Sequence, residues 1–140
     1  MLAICEVMHM RTPTRSSRSV NSMLEIAITV DKYDCRAAMY YAMENWMQLV
    51  PPQENDSDRL HLFIVAYLME FSKSFATFGH LLVTEAEPDF KFIPPNRIPE
   101  TLRRAIRKFF KPFQNQVTLL TGMSSDTRRV TPATGPRSSV

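Results

Sequence analysis

Three histidines and two cysteines are the obvious candidates for catalysis or metal binding in this 140-residue chain. Their spacing argues against both. His9, His61 and His80 never stand four residues apart on one helical face, and no glutamate completes a zinc-binding helix motif. Glu54, Asp56 and Asp58 alternate as calcium ligands do, but no glycine or closing glutamate follows in the required loop, so a capping loop is the expectation. Cys35 is the one plausible nucleophile, since a helix start can lower a thiol pKa. There is no glycine-rich turn to cradle a phosphate and no nucleophile elbow. The expectation is therefore a protein with no catalytic residues, no cofactor and no metal site.

One charged pattern stands out. Arg103, Arg104, Arg107, Lys108 and Lys111 place cations along a helix whose other side is apolar. Such a face suits phosphate contact or an anionic membrane surface, and it equally suits plain solvation. Net charge is +3 and the pI about 9.1, a mild basic bias that solubility alone accounts for.

The elements that would position these groups follow from periodicity and punctuation. Only three glycines against ten prolines argues against an all-β fold, because tight hairpins draw on glycine. Residues 1–10, an apolar run without a clean period, suggest a short helix, followed by a polar basic linker over residues 11–21. Ser22 and Glu25 match a capping box for a helix carrying Met23, Ile26, Ala27 and Val30 on one face. Asp34 is expected to cap the next helix, with Met39, Met43, Trp46, Met47 and Val50 facing inward, ended by Pro51 and Pro52. A third stripe joins Leu60, Phe63, Ile64, Tyr67 and Phe71 behind a cap at Asp56 or Ser57. A break near Ser72, Lys73 and Ser74 leads to a fourth, with Phe75, Phe78 and Leu82 aligned.

Residues 88–98 contain three prolines and no period, and predict an extended loop packed by Phe90, Phe92 and Ile93. Pro99 suits the first position of a last helix with Leu102, Ile106, Phe109 and Phe113 as its stripe. Pro112 should kink or restart it. The spacing thus predicts an all-α bundle of about five to six short helices over residues 1–121, with residues 122–140 a disordered tail. No run reaches the roughly 18 apolar residues of a membrane span, and the N-terminus is a poor signal peptide. A cytoplasmic or nuclear location is the default.

Met8, His9, Met10 and Arg11, then Pro13 and Arg15, then Met23, Leu24, Ile26 and Ala27 form an ordered set. It continues with Val30, Asp31, Lys32, Tyr33, Asp34, Cys35 and Trp46. In that order and spacing they resemble the fungal branch of the BTB/POZ-domain proteins, over about residues 1–110. Ile98, Pro99 and Glu100 resemble the family's start to a late helix. Met10 stands where the family usually has a turn glycine.

The resemblance implies the C-terminal helical part of such a domain, with Asp31, Tyr33, Asp34, Cys35 and Trp46 as structural motif residues and Cys35 packed in a helix corner. The family's N-terminal strands and helices, which carry most of its homodimer surface, would precede Met1. The chain is accordingly expected to be a partial domain, and neither dimerisation nor attachment to a cullin-type ligase carries over. The functional expectation is a non-enzymatic protein–protein interaction module whose partner is unidentified. The alternative is a basic nucleic-acid-binding accessory using the helix at 103–111.

Overall fold

The computed structural model describes residues 2–9, 18–53 and 55–127, with side chains up to residue 114. Among the described residues six helices follow one another: α1 (Leu2–Met8), α2 (Val20–Lys32), α3 (Arg36–Leu49), α4 (Asp56–Met69), α5 (Ser72–Thr84) and α6 (Glu100–Thr127). No strand occurs among the described residues. The all-α expectation holds. Residues 128–140 of the expected tail lie outside the described residues, and α6 reaches Thr127, past the boundary expected at residue 121.

The bundle is built around α4. Leu60, Leu62, Phe63, Ile64, Val65, Ala66, Leu68 and Met69 are all buried, so this helix is covered nearly all round rather than along one stripe. Helix α2 and helix α5 pack on it most extensively, and α3 touches it more lightly. Helix α1 lies on α3 and α2, burying Ile4. Each fully buried aliphatic or aromatic side chain contributes about 1.5–3 kcal/mol. The concentration of such residues on α4 makes it the core of the molecule.

Tyr67, expected in the α4 stripe, instead points outward with 52% of its surface exposed. The reason is the number of neighbours. With helices on several sides, the polar-tipped tyrosine takes the one open direction, and Leu62, Val65 and Leu68 turn inward. Helix α5 comes close to α4 at Gly79, where an added Cβ would sit 3.2 Å from the Phe63 ring.

Helix ends differ from the sequence expectation in several places. Ser19, not Ser22, caps α2: its Oγ accepts the Ser22 N–H at 3.2 Å. Asn55, not Asp56 or Ser57, caps α4 by accepting the Ser57 N–H at 2.8 Å. Pro99 precedes the first residue of α6, its carbonyl accepting the Arg103 N–H. The break before α5 falls at Glu70 and Phe71, two residues earlier than Ser72, Lys73 and Ser74 suggested.

Helix α6 runs through Pro112 without restarting, although proline supplies no N–H for the preceding turn. Its inward stripe is Leu102, Ile106 and Phe110. Phe109, expected to be core, is 49% exposed while Phe110 is fully buried. Phe110 wins the interior because Phe92 of the 85–99 connection stacks on it at 4.2 Å and Phe63 meets its edge at 5.4 Å. Phe92 is buried and Phe90 half-buried as expected, but Ile93 is 65% exposed.

Candidate functional site

The motif at residues 30–36 makes the corner between α2 and α3. Asp34 adopts φ 51°, the left-handed region. Its N–H donates to the Asp31 carbonyl at 3.3 Å, and the Cys35 N–H donates to the Val30 carbonyl at 3.1 Å. This pair of bonds is the Schellman motif, which satisfies carbonyls that the last helical turn leaves open. Asp34 therefore stops α2 rather than capping α3, whose N-terminal neighbour Cys35 makes no side-chain cap. The half-buried Cys35 thiol lies 3.8 Å from the same Val30 carbonyl. Tyr33 is exposed, with Lys32 Nζ 5.5 Å from its ring.

The end of α4 repeats this geometry. Glu70 adopts φ 60°, with the Glu70 N–H donating to the Tyr67 carbonyl and the Phe71 N–H to the Ala66 carbonyl at 2.8 Å. Arg36 joins the two corners. Its Nε donates to the Leu68 carbonyl at 2.9 Å, Nη1 pairs with Glu70 at 3.1 Å, and Nη2 lies 3.6 Å from Asp31. Sequence reasoning did not single out Arg36. A cation two residues beyond a left-handed stop is the feature that could have pointed to it.

Trp46 is fully buried in α3, and its Nε1 has no acceptor among the described residues. The Arg18 guanidinium sits 4.8 Å from its ring centroid, a cation–π contact that brings the segment before α2 against α3.

A second polar node centres on Asp56, the one buried charged residue among those described. Its Oδ2 accepts the Glu87 N–H at 2.8 Å and its Oδ1 meets Arg59 Nη1 at 3.2 Å. Arg59 also donates to the Gln53 carbonyl at 2.8 Å and pairs with Glu85 at 3.4 Å. Every one of these contacts is intramolecular, and together they fasten the start of α4 to the end of α5. Asp56 and Asp58 do not converge on a cation site, Glu54 lies outside the described residues, and no group of three metal-ligating side chains assembles among those described.

The histidines stay apart from all of this. His9 and His80 are exposed. His61 is half-buried, and burial pushes its pKa below the ordinary imidazole value against an opposing attraction from Asp58. Its Nδ1 has no partner among the described residues.

The basic run divides. Arg103 is held close to the protein by Glu100 at 2.6 Å and donates to Asn96 at 3.1 Å, and Arg104 pairs with Glu100 at 3.3 Å. Arg107, Lys108 and Lys111 are exposed, with no described carboxylate within ion-pair distance. Spacings of three and four put Arg104, Arg107, Lys108 and Lys111 on one face. Beside Arg107 opens a cleft of about 790 Å³ between the end of α5, residues 88–93 and α6, walled by Leu82, Phe90, Phe92 and Phe113.

Aromatic side chains also form a row across three helices. Tyr67 of α4 lies 6.1 Å from Phe75 of α5, which stacks on Phe63 at 4.5 Å. Phe63 lies 6.2 Å from Phe109 of α6, itself 6.3 Å from Phe113. Tyr67 and Phe109 are open to solvent, Phe75 and Phe113 partly so. No described helix is long and apolar enough to cross a membrane. Comparison of the chain with protein-family models, with curated proteins and with solved structures gave no match.

Proposed function

We propose that this chain is a non-enzymatic protein–protein interaction module, of the kind its resemblance to the helical part of fungal BTB/POZ-domain proteins implies, working in the cytoplasm or nucleus. The observation that carries this reading is the aromatic row that runs from the exposed Tyr67 through the half-buried Phe75 and the buried Phe63 to the exposed Phe109. Rigid aromatic side chains supply much contact area for little lost rotamer freedom, and they are enriched at protein interfaces. Polar side chains at the helix ends support the same reading, because Asp31, Arg36, Asp56 and Arg59 are occupied in joining helices. The partner is a protein with a complementary apolar surface, and α4 keeps the row rigid from beneath.

A photo-crosslinking residue placed at position 67 tests this, with position 41, an exposed tyrosine on α3, as control. Adducts formed at 67 but not at 41, and abolished by Phe109→Ser, are the expected result. Identical adducts from both positions, or adducts indifferent to Phe109→Ser, refute the reading.

A further inference from the structure

We infer that the outer face of α6 binds the surface of a bilayer containing anionic phospholipid, through Arg104, Arg107, Lys108 and Lys111 together with Ile93. The inference stands apart from the protein-interaction reading and uses different side chains. Two independent features meet here.

The first is charge. Arg107, Lys108 and Lys111 lie within two turns on one solvent-facing side and have no described carboxylate in pairing distance. Arg104 extends the row by another turn, although it shares Glu100 with Arg103. A cluster of this size attracts anionic headgroups, each cation near such a surface raising the partition coefficient roughly fivefold.

The second is an apolar side chain where the protein gains nothing from it. Ile93, 65% exposed, lines the same cleft as Lys91, Arg107, Leu82 and Phe113. A large aliphatic group held in water next to cations matches the boundary between headgroups and acyl chains, which takes up both. A phosphodiester backbone would use the cations but leave Ile93 in water, so the pairing favours lipid over the nucleic acid that the basic run alone suggests. Among the described residues, two acids, Glu87 and Asp89, share the cleft with Ile93 and Arg107 and a third, Glu100, stands one turn before Arg104.

The test is co-sedimentation of the full chain with vesicles of phosphatidylcholine alone and with vesicles containing about 30% phosphatidylserine, at the composition where polybasic clusters respond. Binding to the anionic vesicles only, weakened by salt, is expected. Arg107→Gln, Lys108→Gln and Lys111→Gln combined should lower the partition coefficient about a hundredfold, at roughly fivefold for each cation. Ile93→Ser should lower it several-fold while leaving the salt response intact. All four positions are exposed, and unchanged Trp46 fluorescence checks the fold of each variant. Because Tyr67, Phe75 and Phe109 are untouched, failure here leaves the crosslinking result standing, and the reverse. Equal binding to both vesicle types, salt-insensitive binding by the unmodified chain, or tight binding to a DNA duplex with none to the vesicles overturns the inference.

Discussion

Arg36 donates its Nε proton to the main-chain carbonyl of Leu68, 32 residues further along the chain, at 2.9 Å. One guanidinium thereby satisfies a helix-end carbonyl on α4 while pairing with Glu70 and Asp31. The two ion pairs are partly exposed and each contributes little. The charged hydrogen bond to a half-buried carbonyl is the larger contribution. Arg36→Ala should lower stability by about 1.5–3 kcal/mol. Arg36→Lys should recover only part, because an ammonium cannot address three acceptors in the guanidinium geometry. Urea unfolding followed by Trp46 fluorescence measures both, and a loss below about 0.5 kcal/mol for the alanine variant would contradict the assignment.

Asp34 and Glu70 each hold a left-handed backbone that favours glycine. Replacing Asp34 by glycine should raise stability by about 0.5–1 kcal/mol, since its carboxylate makes no contact among the described residues that the change would forfeit. Glu70→Gly should gain less, as it loses the Arg36 pair. Asp34→Val should cost more than about 1 kcal/mol, because a β-branched side chain is most strained in this region. Thermal melts of the three variants give the ordering directly.

His61 makes stability depend on pH. Burial holds its folded pKa below the unperturbed value of about 6.5. The unfolded chain therefore binds the proton more readily. Its contribution is fully present above about pH 6.5 and is lost as the pH falls through the folded value. Stability measured from pH 7.5 down to pH 5 should decline, and His61→Gln should flatten that decline. A profile unchanged by the substitution would place the dependence elsewhere.

Phe109 and Phe110 are adjacent and chemically identical, yet they should respond oppositely. Phe110→Ala removes a fully buried ring stacked on Phe92 and edged by Phe63, and should cost about 3–5 kcal/mol. Phe109→Ser exchanges a half-open ring and should cost under about 1.5 kcal/mol. Equal losses in denaturant unfolding would mean that α6 does not sit with Phe110 inward.

The chain's own pattern of residues determined that it is helical, that α3 ends at Pro51 and Pro52 and α5 before the prolines of residues 88–99, and much of which side chains of α2 and α3 are buried. Met23, Ile26, Ala27, Val30, Met39, Met43 and Trp46 are all in the core as their spacing predicts. Those helices have one dominant buried face, so a local repeat suffices. The chemistry-bearing residues were legible mainly by what their spacing lacks.

Tertiary structure alone decided the rest. Helix α4 is covered from several directions, so no single stripe described it, and Tyr67 of the expected stripe is exposed while Leu62, Val65 and Leu68 outside that stripe are buried. The choice between Phe109 and Phe110 rests on Phe92, which arrives from a loop without periodicity. Asp34 as a stop, Glu70 as its repeat and Arg36 as the link between them depend on two corners meeting in space. Hydrophobic period reports the direction of burial along one helix; which neighbours supply that burial is a property of the assembled bundle.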